Sequence, residues 1–236
     1  YNCQGVAHNF YPTYLWDDDR KLAIANPAFP AHDTFKPGED ANDPKSYRRF
    51  QGSHYSADLI AEQARKFIRD HKDKPFFCYV PTTVPHLALQ VPDDSLQEYV
   101  GQWDDPPYQG GRGYLPHFAP RAAYAAMITR MDREVGRIMD LVEELGLDEN
   151  TIFVFTSDNG PLNGVHQGLA GTDAIFFNSS GGLRDGKGTL YEGGIRVPAI
   201  VRWKGRIRPG TTCDRVTGFE DWLPTLLELA GLADQI

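Results

Sequence analysis

The sequence predicts an α/β fold in which a mainly parallel sheet is flanked by helices. Three observations predict it. Short apolar runs of strand type stand at 76–80, 152–155 and 197–203. Stretches with apolar residues at helical spacing stand at 53–71, 121–145 and 220–230. The second of these passes through Gly146 almost directly into the second strand, which is the helix–loop–strand unit of a parallel sheet.

Taken in order, residues 1–50 are rich in aromatics, Pro, Asn and Asp and keep no period. They read as irregular chain wrapping the surface. The first helix has Ser56 as its N-cap and Leu59, Ile60, Ala64, Phe67 and Ile68 as its apolar stripe. Pro75 ends it. Phe76 to Val80 then reads as a buried strand, with Cys78 a small hydrophobe inside it. His86 follows on the next loop, and 87–118, full of Pro, Gly and Asp, is a long excursion. The second helix carries Tyr124, Ile128, Met131, Val135, Ile138, Val142 and Leu145 in alternating steps of four and three. Ile152 to Phe155 are β-branched and aromatic, suited to a strand covered on both faces. Residues 159–196 show no helix, and so long a loop in a compact domain is usually functional. The third strand tolerates Pro198 near its start. The last helix stops at Gly231.

Composition excludes several classes. The chain has 236 residues and a net charge of −8, with no basic run or basic helix, which argues against nucleic acid as a partner. No apolar stretch reaches transmembrane length. The three cysteines, Cys3, Cys78 and Cys213, are far apart and odd in number, which argues against a disulfide framework or a Cys-x-x-Cys metal site.

Candidate chemistry falls on three loops. Asp158 and Asn159 end the second strand, where ligands bind in open parallel sheets, and supply two hard oxygen donors of the kind Ca²⁺ or Mg²⁺ prefers. Asp-Asn-Gly is equally good turn chemistry. His86, after Pro85, can donate to an anion or protonate a leaving group, and can equally be a bonded loop histidine. Lys187 stands among glycines as a cationic donor able to reach an oxyanion, or as a solvated loop lysine. Its loop lacks the phosphate-loop spacing. A loop that feeds a strand lies by default at the sheet edge opposite His86 and Asp158, but its length lets it fold back. His8, His32, His54, His71, His117 and His166 show no ligand-like pairing and read as surface or structural residues.

Several segments together resemble type I sulfatases of the arylsulfatase and N-acetylgalactosamine-6-sulfatase kind, in the alkaline phosphatase superfamily. These are Ala7-His8-Asn9-Phe10-Tyr11-Pro12 with Leu15-Trp16, Lys74-Pro75 through Pro85-His86, Asn150 through Asp158-Asn159-Gly160-Pro161, Phe176 through Arg184 and on through Tyr191-Glu192-Gly193-Gly194 to Pro198, and Asp221-Trp222-Leu223-Pro224. They keep the family's order. The resemblance implies an alkaline phosphatase-like fold, hydrolysis of sulfate esters of sugars or aryl alcohols, and a formylglycine nucleophile. It implies Ca²⁺ held in part by Asp158 and Asn159, with Lys187 and His86 on the sulfate and the leaving oxygen. It also implies that His86, Asp158, Asn159 and Lys187 line one pocket at one sheet edge. A periplasmic, secreted or lysosomal setting also follows from it alone. The family's Cys/Ser-x-Pro-x-Arg signature contains none of Cys3, Cys78 or Cys213, and Asp17-Asp18-Asp19 is a poor substitute for its N-terminal metal-binding aspartates. Residues 1–236 are therefore expected to be a partial sulfatase domain without the nucleophile segment and the C-terminal subdomain, inactive by themselves. A phosphate or phosphonate ester hydrolase of the same superfamily, and a non-enzymatic cation- or glycan-binding protein, stay open beside this reading.

Overall fold

The structure is a computed structural model and describes residues 8–235. Cys3 and Ala7 lie outside the described residues. The chain runs through a hairpin of β1 (Tyr14–Asp17) and β2 (Arg20–Ala23), helix α1 (Ser56–His71), the single turn α2 (Asp93–Leu96), and the long helix α3 (Pro120–Glu144). Strand β3 (Phe153–Thr156), the single turn α4 (Glu192–Ile195), strand β4 (Ala199–Arg202) and helix α5 (Trp222–Leu229) complete it. The hairpin lies in the stretch expected to be irregular. Its two-residue turn holds Asp18 at φ 53°, a conformation Asp tolerates, so Asp17 to Asp19 are turn chemistry.

Ser56 is the first helical residue of α1 and not its cap. Tyr55 occupies the cap position without a capping side chain, and the Ser56 hydroxyl is buried with no hydrogen-bond partner. Ala61, Ala64 and Ile68 form the buried face. Helix α3 starts on Pro120, whose missing N–H costs nothing there. Its cap comes from far away in sequence, because the Asp105 carboxylate accepts from the amides of Arg121 and Ala122, both at 2.9 Å. The core-facing residues of its first half are Ala122, Ala123, Ala126 and Met127, while Ile128 is 37% exposed. The expected stripe is therefore off by about one position there. Small side chains let this helix approach the core closely, and a pattern read by side-chain size overlooks alanines.

The main core joins Phe10, Tyr11, Tyr55, Val84, Leu87, Leu89, Val91, Tyr108 and Met127. The loop carrying His86 is thus anchored on both sides by buried residues. A second cluster, Ile68, Leu141 and Val142, lies between α1 and α3, with Phe76, Cys78 and Phe153 packed against it. Arg130 also crosses between these helices, with Nε and Nη2 donating to the Asp58 carboxylate and Nη1 to Asp94.

The sheet differs from expectation. Strands β1 and β2 pair antiparallel, and so do β3 and β4. No parallel pairing occurs among the described residues. Residues 76–80 form no strand and join neither sheet. Phe76 and Cys78 face the helices, while Phe77 and Tyr79 are about three-quarters exposed (75% and 76%). An alternating apolar run favours an extended backbone, but a ladder needs a neighbour whose N–H and C=O groups face it. Nor is β3 covered on both faces, since Val154 is exposed, and β4 exposes Ile200 by 60%.

Candidate functional site

The direction of β4 decides the geometry. Because β4 runs antiparallel to β3, its first residue, Ala199, sits opposite the last residue of β3, Thr156. The loop that leaves β3 and the loop that feeds β4 therefore share one edge. Lys187's loop thus need not fold back across the sheet, because the far-edge default holds only for parallel strands.

The two loops are fastened backbone to backbone. Gly160 N–H donates to Gly194 C=O at 2.9 Å, and Lys187 N–H donates to Pro161 C=O at 2.7 Å. The Asn163 side-chain amide donates to the Asp185 carboxylate. The approach is close enough to require glycine, since a Cβ on Gly160 would lie 1.9 Å from the Gly193 carbonyl oxygen. One on Gly193 would lie 2.1 Å from the Asp185 carbonyl oxygen. The turn bearing Asp158 and Asn159 is thereby tied to the loop bearing Lys187. Asp158 is exposed and Asn159 half-buried. No hydrogen bond or ion pair joins the side chains of Asp158 and Lys187 among the described residues.

His86 stands on the loop after the 76–80 segment, half-buried, with its amide donating to Thr83 C=O at 2.7 Å. Its ring Nδ1 lies 2.7 Å from Leu87 C=O. A carbonyl only accepts, so Nδ1 carries a proton, and Nε2 is the nitrogen at which the ring gains or loses its charge. The His8 ring stacks on His86 with centroids 5.7 Å apart and planes at 15°. His32 and Tyr114 meet His8 edge-on at 5.2 and 5.0 Å. Burial, and then the charges of His32, His86 and Lys187, push the His8 pKa below its ordinary value. Lys187 is thus close enough to His8 to be felt electrostatically.

Sequence reasoning missed His8, His32 and Tyr114, which come from three distant segments. The only local signal was the aromatic block Phe10-Tyr11 beside His8. The other histidines are structural. His117 is buried, its Nδ1 accepts from Ala119 N–H at 3.0 Å, and burial lowers its pKa to about 4. His166 pairs with Asn163 and His71 with Phe67 C=O. A cleft of about 220 Å³ lined by Tyr11, Gln51, Asp58, Asp93 and Arg130 lies apart from these loops, and its Arg130 and Asp58 already neutralise each other.

As a metal site, Asp158 and Asn159 offer the right chemistry but an incomplete set. They are hard oxygen donors, and Ca²⁺ takes about six to eight. Among the described residues no group of three or more His, Cys, Asp or Glu side chains is placed to hold a metal ion.

Comparison with known proteins places these loops in context. A profile of the family described as Sulfatase matches residues 8–232. Arylsulfatase A of Homo sapiens is 34% identical over 177 residues, covering 75% of this chain and 28% of the human protein. The N-acetylgalactosamine-6-O-sulfatase of Bacteroides thetaiotaomicron is 33% identical over 157 residues, covering 65% of this chain and 26% of that protein. A crystal structure of Ps i-CgsB in complex with k-i-k-neocarrahexaose superposes with a TM-score of 0.60 at 26% identity, over 76% of this chain and 35% of that one. The chain thus spans well under half the length of these relatives. With the strand-end Asp158-Asn159 turn, the His86 loop and the Lys187 loop all inside the matched region, the chain belongs to the sulfatase family.

Proposed function

We propose that the protein to which this chain contributes hydrolyses sulfate esters of sugars or aryl alcohols. What supports this is the fastening of the Lys187 loop to the Asp158-Asn159 turn, together with the stacking of His86 on His8, a ring that feels the charge of Lys187. Sulfate transfer develops negative charge on the sulfate oxygens and on the leaving alcohol. Fixed cationic donors at that place stabilise the transition state more than the ground state. On this reading Lys187 Nζ holds a sulfate oxygen. His86, protonated at Nε2, gives that proton to the departing ester oxygen and is left neutral, with Nδ1 still held by Leu87. Asp158 and Asn159 would be two of the ligands of a Ca²⁺ ion, which supplies electrostatic neutralisation of the sulfate when bound. Family membership supports a metal-dependent enzyme. Ca²⁺ as the metal, and formylglycine as the nucleophile, rest on the resemblance. On this reading the attacking group and the remaining metal ligands are not among Asp158, Asn159, His86 and Lys187.

The substrate reading draws on the relatives. One is named for N-acetylgalactosamine 6-sulfate and another was solved with a carrageenan oligosaccharide. A sulfated glycan is accordingly the expected natural ester.

The test is hydrolysis of an aryl sulfate and an aryl phosphate by the complete polypeptide loaded with Ca²⁺. Sulfate turnover is expected, falling about a hundredfold or more in Lys187→Ala, as for loss of one oxyanion donor. The 236-residue chain alone is expected to give none, because binding without an attacking group leaves the barrier in place. Preference for the phosphate ester, or turnover untouched in Lys187→Ala, would reject the assignment.

A further inference from the structure

Beside the groups assigned to the sulfate stands a wall of three side chains that the sulfate chemistry does not use. His8, His32 and Tyr114 reach it from the start of the described chain, from the long segment after the hairpin, and from the 87–118 excursion. Their rings are mutually in contact, with His32 and Tyr114 centroids 5.0 Å apart and Tyr114 also 6.2 Å from His86. They are not core residues: His32 is exposed, and His8 and Tyr114 are half-buried. Convergence of polar-edged rings from three segments at the rim of a charged site offers a ligand polar edges: Tyr114 rests one side against the apolar core, and His8 and His32 belong to no core cluster.

We propose that His8, His32 and Tyr114 form the subsite for the sugar that carries the sulfate, and so determine which sulfate ester is accepted. This rests on the sulfate-ester reading of the neighbouring His86 and Lys187. The chemistry suits a sugar. A hydroxyl both donates and accepts, and a neutral imidazole offers one nitrogen for each task. His8 is held neutral near pH 7 by burial and by the positive groups around it. His32 accepts from Tyr114 N–H through Nδ1 at 2.9 Å, so the neutral His32 ring carries its proton on Nε2. Tyr114 adds a phenolic hydroxyl and an apolar ring face of the kind that covers the C–H side of a pyranose. The groups acting electrostatically on His8 are His32, His86 and Lys187, all basic, so no carboxylate opposes an anionic sugar there.

The experiment compares two esters in the complete Ca²⁺-loaded polypeptide: an aryl sulfate, whose leaving group carries no sugar hydroxyls, and N-acetylgalactosamine 6-sulfate. The quantity read is the ratio of kcat/KM for the sugar to kcat/KM for the aryl sulfate. A variant that folds poorly loses both activities together and leaves the ratio unchanged. His8→Ala and His32→Ala are expected to lower the ratio about tenfold or more, as for lost substrate hydrogen bonds. Tyr114→Phe, which keeps the ring, should lower it by less, and His8→Asn should restore part of it. Ratios within twofold of the unsubstituted enzyme in both alanine variants overturn the subsite while leaving the sulfatase reading intact. Failure of the unsubstituted enzyme on both esters overturns that reading and the subsite with it.

Discussion

The chain on either side of residue 147 is built in two different ways. Before it, α1, α3 and the 81–91 loop enclose nearly all the buried apolar side chains. Beyond Val142, only Ala170 joins them among the described residues. After it, β3, β4 and α5 keep regular backbone with little cover. Helix α5 buries no residue, and its Leu223 is 65% exposed. The first region owes its shape to packing. The second owes its shape to backbone pairing, β3 with β4 and loop with loop. The proposed site lies on the seam, with His86 rooted in the packed region and Lys187 and Asp158 in the paired one. A site divided this way keeps its two halves in register only while both regions hold.

The largest expected effect breaks the packed region. Met127 is fully buried in the main core. Met127→Ala should cost about 2–5 kcal/mol in denaturant unfolding, against less than about 0.5 kcal/mol for Leu223→Ala. Equal costs would erase the distinction between the regions. The second effect concerns association. Phe77, Tyr79, Ile200 and Leu223 are exposed, and residues 76–80 are a segment that joins neither sheet. Such edges and apolar patches bind one another. Light scattering on the 236-residue chain should show oligomers that diminish in a Phe77→Ser, Leu223→Ser double variant. A monodisperse parent chain would contradict this.

A smaller effect tests the distant cap of α3. Asp105→Ala removes the acceptor of two helix-terminal amides and should cost about 1 kcal/mol, whereas Asp105→Asn should recover part of it. The smallest effect belongs to the paired region. Asp148, at the start of the turn into β3, accepts from Arg202 at 2.5 and 3.0 Å and meets Lys204 at 2.8 Å. These cations hold its carboxyl down to about 2. An unfolded Asp titrates near about 4, so the pair's contribution is complete above that value and is lost as the pH falls through about 2. The gap in unfolding midpoint between the parent chain and Asp148→Asn should therefore narrow across that window. A constant gap would mean that Asp148 acts through packing alone.

Much of this was legible in the sequence, and the rest has identifiable reasons. The three long helices and the two strands of the paired region stand close to where periodicity and residue type put them. So do the three loops that bear His86, Asp158 and Lys187. Strand direction was not legible. A buried-type run such as Ile152 to Phe155 does not say whether its neighbour runs with it or against it, and that choice decides to which edge the Lys187 loop is delivered. The apolar run at 76–80 has residues of strand type but not the partner a strand requires. The cluster of His8, His32 and Tyr114 was invisible because its members are separated by dozens of residues of irregular chain, and no spacing rule reaches across such loops. Ser56 shows a local rule overruled by position, a good capping residue placed one step too late to cap.

The interlocked glycines at 160, 186, 193 and 194 divide the second half of the chain into what can drift and what cannot. The fastening sits at the roots of the 161–186 loop, where backbone meets backbone with no room for a Cβ. Exposed positions strung between those roots, such as Val165 and Ile175, can change without touching that fastening, whereas Asn163 on Asp185, Ala170 in the core and Asp173 on Arg121 are held. An engineer seeking to vary the edge of the proposed site should therefore diversify those exposed positions and leave the four glycines untouched.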